Sequence, residues 1–318
     1  MPVCFSTCWN SSRHSDGAEL VREILDLGFD TLEISHGMKV SLLPGIKKMV
    51  EHGTIKVSGV HNFCPSPVEV TIDAPDCYEF TSHKPYVRER AMRLTLQTID
   101  FAAEIGGKYV VVHLGSVAMP SLTDRLEALV EAGQLNNRAY VREKHAFIRK
   151  REKLGPFFLQ RSRDALTKMA DHAATKGIVI GVESRSHYEQ VPSEREMVTL
   201  QEEFKDHPGV GYWHDFGHVQ RKHNLALLDH SQWLSRMLPH LIGCHVHDVE
   251  WPAKDHRVPY YGDMDLGKLL AMVPGDLPLV WELSSSRRRV HIRKAKEIWD
   301  AMEKANDPVG EAIALSML

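Results

Sequence analysis

Short apolar runs alternate with longer amphipathic stretches eight times along the chain, and that alternation leaves few folds open. The runs read as strands at Val3–Ser6, Thr31–Ile34, Lys56–His61, Tyr109–His113, Ile178–Glu183, Val210–Asp215, Ile242–Asp248 and Leu277–Glu282. Apolar residues recur at helical spacing over Ala18–Leu27, Leu42–His52, Arg88–Ile105, Leu159–Lys176, Glu194–Phe204, Trp233–Leu238, Leu266–Met272 and Arg289–Lys304. Gly28, Gly53, Gly106-Gly107 and Gly177 follow the first four of these, where helix C-termini favour glycine. Strand–helix alternation builds parallel βαβ units. The strand interiors agree: YVVVH, IVIGVE and LPLVWE are nearly continuous apolar runs, as strands covered on both faces require. An open doubly wound sheet would show the same runs, but its G-x-G-x-x-G turn after an early strand is absent. Eight units therefore predict a single α/β fold, a (β/α)8 TIM barrel. That reading uses up 318 residues, a length that by itself suggests about two domains.

The barrel is expected over residues 1–305, with 306–318 as a C-terminal tail. Two segments interrupt its spacing. Residues 62–86, with Pro65, Pro67 and Pro75, join the third strand to its helix. Residues 114–155 follow the fourth strand and carry helical patterns of their own around Leu122–Ala132 and Arg138–Lys153. This second segment predicts a helical insertion, a lid or a dimer arm, whose basic run RAYVREKHAFIRKREK forms a solvated face.

Each of the last four strands ends in a residue able to bind a metal: Glu183 (IVIGVESR), Asp215 (YWHDFGH), His247 (CHVHD) and Glu282 (LVWELS). They stand 32, 32 and 35 residues apart, about one βα unit each. All four side chains thus return to the C-terminal mouth, where such barrels place their sites. Three carboxylates and an imidazole without a basic partner would repel one another there, and a bound dication relieves that repulsion. An oxygen-rich set with one nitrogen suits Mn²⁺, Mg²⁺ or Co²⁺ better than a thiolate-type zinc site. The alternative is four unrelated strand-end caps, which the unit spacing argues against. His61 and His113 end two earlier strands and read as substrate-hydroxyl binders or ligands to a further metal. His218, three residues after Asp215, is placed to touch substrate or metal, and His36 ends the second strand. His245 is expected to be packed or hydrogen-bonded, turned away from the face His247 presents. Ser284, Ser285, Ser286 and Arg287, after the eighth strand, suit an anionic substrate group, or equally a serine cap on a solvated basic turn. Arg185, Lys254, His256 and Arg257 would add a positive rim, with Arg185 and Arg257 as substrate contacts.

Composition narrows the function class. Lys and Arg number 39 against 42 Asp and Glu, a net charge of −3 that gives no support for nucleic-acid binding. No run approaches 18 apolar residues, so no membrane span is expected. The start MPVCFSTCWN does not read as a secretory signal. Five cysteines without a CxxC pair argue against a disulfide framework and for a reducing cytoplasm. The 19 histidines point to metal or proton chemistry.

The pieces VES at 182–184, HDFGH at 214–218, HVHD at 245–248 and WEL at 281–283 carry a resemblance. The chain resembles the xylose isomerase-like TIM barrel superfamily, and within it the sugar phosphate isomerase/epimerase family, from Val3 to about Lys304. The resemblance implies one divalent metal, Mn²⁺ first and Mg²⁺, Co²⁺ or Zn²⁺ as options, held by Glu183, Asp215, His247 and Glu282. It implies substrate contact by His218, a sugar or sugar-phosphate substrate, and a homo-oligomer. Its endonuclease IV-like branch implies that His61, His113 and His218 help hold further zinc ions. That branch also needs Asp-x-His after the seventh strand, where this chain reads Asp255-His256-Arg257. The expected activity is a metal-dependent sugar isomerase or epimerase acting on a ketose, sugar phosphate or related polyol ketone, with Glu183 and Glu282 exchanging protons with carbon through a metal-stabilised enediolate. The alternatives are a dehydratase of a keto-sugar or inosose and a multi-metal phosphodiesterase.

Overall fold

The expected strands form, and they close on themselves. The computed structural model of the chain describes residues 3–70 and 75–304. Its strands are β1 (Val3–Ser6), β2 (Thr31–Ile34), β3 (Lys56–His61), β4 (Tyr109–Val112), β5 (Val179–Glu183), β6 (Val210–Asp215), β7 (Leu241–Val246), β8 (Asp248–Glu250), β9 (Lys254–Arg257) and β10 (Leu279–Trp281). Strands β1 to β7 pair in sequence order and in parallel, and β10 joins β7 to β1, giving an eight-stranded closed barrel. Strands β8 and β9 form a separate antiparallel hairpin after β7. The helices are α1 (Gly17–Leu25), α2 (Leu43–Glu51), α3 (Pro85–Glu104), α4 (Thr123–Glu131), α5 (Arg138–Thr175), α6 (Glu194–Glu203), α7 (Phe216–Asn224), α8 (His230–Met237), α9 (Leu266–Leu270) and α10 (Arg289–Lys304). The expected tail, 306–318, lies outside the described residues.

Two packing zones follow from the strand period of two. Outward side chains such as Leu32, Val110, Ile180, Tyr212 and Leu279 are buried against the helices. Inward ones, Cys4, Tyr109, Val111, Trp213 and Val280, fill the barrel itself. The two largest need gaps opposite them. A Cβ at Gly243 would lie 2.2 Å from the Trp213 ring, and one at Gly59 2.4 Å from the Tyr109 ring. Glycine at these two positions lets the interior hold an indole and a phenol.

Three local features differ from expectation. Helix α7 follows β6 without a loop, because Asp215 ends the strand and caps the helix, its Oδ1 accepting the His218 N–H at 2.6 Å. The β8–β9 hairpin is too short and polar to show a period. Helix α5 runs 38 residues, joining what read as two helices across Gly155-Pro156. Proline there removes one N–H without ending the helix, and Arg151 holds the segment in place. Its guanidinium donates to Glu196 Oε1 and Oε2 at 2.5 and 2.6 Å, to the Tyr188 carbonyl at 3.1 Å and to the Gln190 carbonyl at 2.9 Å. The insertion does not project as an arm. It folds back on its own barrel through a cluster of Leu126, Val130, Tyr140, Phe147 and Leu225, and Tyr140 donates to the Leu225 carbonyl at 2.6 Å. Among the described residues, no helix is long and apolar enough to cross a membrane.

Candidate active site

Inward-facing positions at the C-terminal strand ends converge as the unit spacing requires. Glu183 ends β5, Asp215 ends β6, and Glu282 follows β10; each is buried. Between them stands His245 of β7, which pairs in register with Asp215 on one side and Val280 on the other. His245 Nδ1 lies 3.3 Å from Glu183 Oε1, 3.3 Å from Glu282 Oε2 and 3.7 Å from Asp215 Oδ2. One donor atom from each of these four residues falls within 4.8 Å of the others.

The imidazole in this cluster is therefore His245, where the sequence reading placed His247. The expectation that His245 turns away from His247 fails on the strand's own period, since residues two apart share a face. His247 lies one residue past the end of β7. Its Nε2 donates to Asp215 at 3.0 Å, and its Nδ1 accepts the His256 backbone N–H at 2.8 Å. With both nitrogens engaged, His247 orients Asp215. Gly217 makes the room, for a Cβ there would lie 1.9 Å from the His247 ring.

The cluster fits a cation on its own chemistry. His245 Nε2 meets Glu33 at 3.2 and 3.4 Å. A carboxylate only accepts, so Nε2 carries the proton, and Nδ1 then faces three more carboxylates. That arrangement needs a second proton or a cation at Nδ1. Burial opposes charge on His245, but Glu282 and Glu33 outweigh it and push its pKa well up. Burial also opposes ionisation of Glu183 and Glu282, yet the surrounding histidines hold both well below the usual carboxylate range. Both are thus kept in the basic form.

Two Asp–His pairs flank the glutamates. His113 lies 2.7 Å from Glu183 Oε2 and 2.9 Å from Asp76 Oδ1. Burial and Arg185 oppose its protonation, but Asp76 and Glu183 outweigh them and raise its pKa. Arg185 in turn donates to Asp76 at 2.8 Å. Opposite, His256 lies 3.0 Å from Asp255 Oδ1 and 3.6 Å from Glu282 Oε2. Its backbone sits at φ +51, a left-handed conformation uncommon outside glycine and typical of functional loops. His61 donates from Nδ1 to the Asn62 carbonyl and brings Nε2 to 3.2 Å from Glu183. His218 Nδ1 donates to the Ser184 carbonyl at 3.1 Å.

A cavity of about 350 Å³ opens above the cluster, lined among others by His36, His61, Asp76, His113, Glu183, Arg185, His218, Arg221, His256 and Glu282. Expected contacts His61, His113, His218 and Arg185 are thus brought together. Arg257 is not among the lining residues; it pairs with Glu250 across the hairpin at 2.5 Å. Ser284, Ser285, Ser286 and Arg287 do not line the cavity either. Sequence reasoning missed Glu33, Asp76 and Arg221, and met Asp255 only as a departure from the Asp-x-His motif. Only Glu33 had a signal, an acid inside the apolar run TLEI.

The profile of the xylose isomerase-like TIM barrel family matches residues 21–304. No curated protein matches the chain. Among solved structures, a D-tagatose 3-epimerase-like protein superposes with a TM-score of 0.66 at 19% identity, over 98% of this chain and 100% of that one. The apo 3-keto-D-glucoside 4-epimerase of E. coli gives 0.67 at 16%, over 95% and 99%. The IolI protein with a bound zinc atom gives 0.65 at 16%, over 96% and 99%. At these identities the structural likeness establishes the shared fold, and the profile match establishes the kinship. The chain belongs to the xylose isomerase-like TIM barrel family.

Proposed function

We propose that this protein is a divalent-metal-dependent sugar isomerase or epimerase, with Glu183, Asp215, His245 and Glu282 as the metal-holding residues. One observation carries the reading: two buried glutamates stand 3.3 Å on either side of a single imidazole nitrogen at the floor of a cavity. A divalent cation bound there supplies Lewis acidity toward a carbonyl oxygen and its neighbouring hydroxyl. The residues do the rest. One glutamate takes the proton from the carbon next to the carbonyl, and the other, after taking up a proton from solvent, returns it to carbon. Return to the opposite face inverts that carbon; return to the neighbouring carbon exchanges aldose and ketose; departure of a β-hydroxide dehydrates. Arg185, His113 and His218 line the wall and suit the oxygens of a ketose or sugar phosphate. The cavity, at about 350 Å³, lies at the lower end of small-molecule sites, which suits a single sugar ring. The nearby solved structures include a D-allulose 3-epimerase in complex with D-allulose, which supports this substrate class.

The test is solvent exchange. Ketoses, sugar phosphates, inososes and oxidised glycosides are incubated with the Mn²⁺-loaded protein in D₂O, and carbon-bound deuterium is read by NMR. At least one substrate class should gain deuterium, and Glu183→Gln and Glu282→Gln should abolish the gain. Exchange that persists in either variant refutes the assigned roles.

A second reading, a multi-metal phosphodiesterase, draws on two further observations. His218, His247 and His256 also bring ring nitrogens within 4.8 Å of one another, and His61 and His113 both reach Glu183. Metal analysis of protein purified without chelator separates the two: one equivalent per chain supports the isomerase, two or three the hydrolase.

A further inference from the structure

We propose that Glu33 is a positioning residue that holds the His245 proton on Nε2 and presents Nδ1 to the three carboxylates. The inference rests on the reading that this cluster binds a divalent cation.

Glu33 sits in β2, separated from β7 by β1 and β10 around the barrel, with no solvent exposure. A carboxylate buried so completely is costly unless paired. Among the described residues its ion-pair partner is His245, whose Nε2 lies 3.2 and 3.4 Å from the two oxygens. No Lys or Arg is paired with it among those residues. Glu33 does not line the cavity, so it cannot touch a substrate there. Besides the imidazole it meets the Tyr109 hydroxyl, which lies outside the cavity as well.

Packing fixes the plane of that ring but not its edge. His61 stacks on it at 5.7 Å between centroids, with the planes 12° apart, and Trp213 meets it edge-on at 5.1 Å. A flip of the ring within this slot would exchange the atoms facing the cluster. The donor–acceptor pairing with Glu33 favours the observed orientation, in which an N–H meets a carboxylate and a lone pair faces the prospective cation. Metal-bound histidines commonly use a carboxylate in this way, fixing both tautomer and orientation. In this chain the carboxylate comes from β2 and the imidazole from β7, so the contact crosses the barrel interior and cannot be read from either segment alone.

The experiment compares wild type with Glu33→Leu, Glu33→Gln and His245→Ala. Mn²⁺ affinity is read from the EPR signal of free Mn²⁺. The His245 Nε2–H is read by ¹⁵N NMR of Zn²⁺-loaded, histidine-labelled protein and assigned by its absence in His245→Ala. Glu33→Leu should weaken Mn²⁺ binding about 10- to 100-fold at unchanged circular dichroism. Glu33→Gln, which keeps a carbonyl acceptor, should lose less and shift the Nε2–H resonance. Affinity within twofold of wild type in Glu33→Leu overturns this proposal and leaves the metal-site reading standing. A wild type that binds no Mn²⁺ overturns both. If Glu33→Leu does not fold, Glu33→Gln decides: unchanged affinity with an unchanged resonance overturns the assignment, and a weaker affinity with a shifted resonance supports it.

Discussion

Replacing Arg151 by Met should cost about 3–5 kcal/mol of folding stability, the range for breaking a buried ion pair from one side. The structure says where that comes from. Arg151 is 1% exposed, and four hydrogen bonds leave its guanidinium, two of them charge-assisted at 2.5 and 2.6 Å to Glu196. Met retains much of the buried stem, so packing loss is small. What remains is a mostly buried Glu196 and two carbonyls, Tyr188 and Gln190, without their donor, each unsatisfied group costing about 1–3 kcal/mol. Glu196 keeps one bond, from the Ser193 backbone N–H at 2.8 Å, which holds the total toward the lower part of the simple sum. Urea unfolding should show a lower midpoint with an unchanged slope. Hydrogen exchange should accelerate in residues 184–190, whose backbone Arg151 holds. The double variant Arg151→Met/Glu196→Leu should recover part of the loss, because no charge is then left buried. A single variant within 1 kcal/mol of wild type would refute the view that Arg151 pins the insertion to the loop after β5.

Two further outcomes follow. His245→Ala should nearly eliminate Mn²⁺ binding, whereas His247→Ala, acting only through Asp215, should weaken it about 10- to 100-fold; calorimetric titration that ranks them the other way restores His247 to the ligand set. Burial opposes ionisation of Glu23, but hydrogen bonds from His14, Asn10 and Arg13 outweigh it and lower its pKa. A depressed carboxylate pKa stabilises the fold above the unfolded value, about 4.3, and that contribution is lost as pH falls through the folded value. Glu23→Gln should therefore be less stable than wild type at neutral pH, with the gap closing below about pH 4.3 in denaturant titrations; a gap independent of pH contradicts the sign.

The barrel was legible because its signal is long-range and redundant. Eight apolar runs at unit spacing survive errors of a residue or two at their ends, and the structure shortens β4, β7 and β10 by that much. Glu183, Asp215 and Glu282 were legible for the same reason, since parallel units bring equivalent strand ends to one mouth. What was not legible depends on contacts between segments that share no period. Asp76 comes from the 62–86 insertion, where no pattern marks it, and Asp255 from a four-residue strand whose sequence only departs from the Asp-x-His motif. His245 was misplaced on the strand period, although residues 245 and 247 share a face in any regular strand. The continuity of α5 through Pro156 was hidden because proline reads as a stop unless tertiary contacts hold both sides.

Those contacts also decide how the long helix is held. At 38 residues, α5 is a rod of about 57 Å, with one part packed on α3 and β5 and the other on α4 and Leu225. Pro156 is where such a rod would bend most easily, but Arg151 lies just before it and is bolted to the loop after β5. The natural hinge is locked. The part of α5 before Pro156 and the loop after β5 are therefore one mechanical unit.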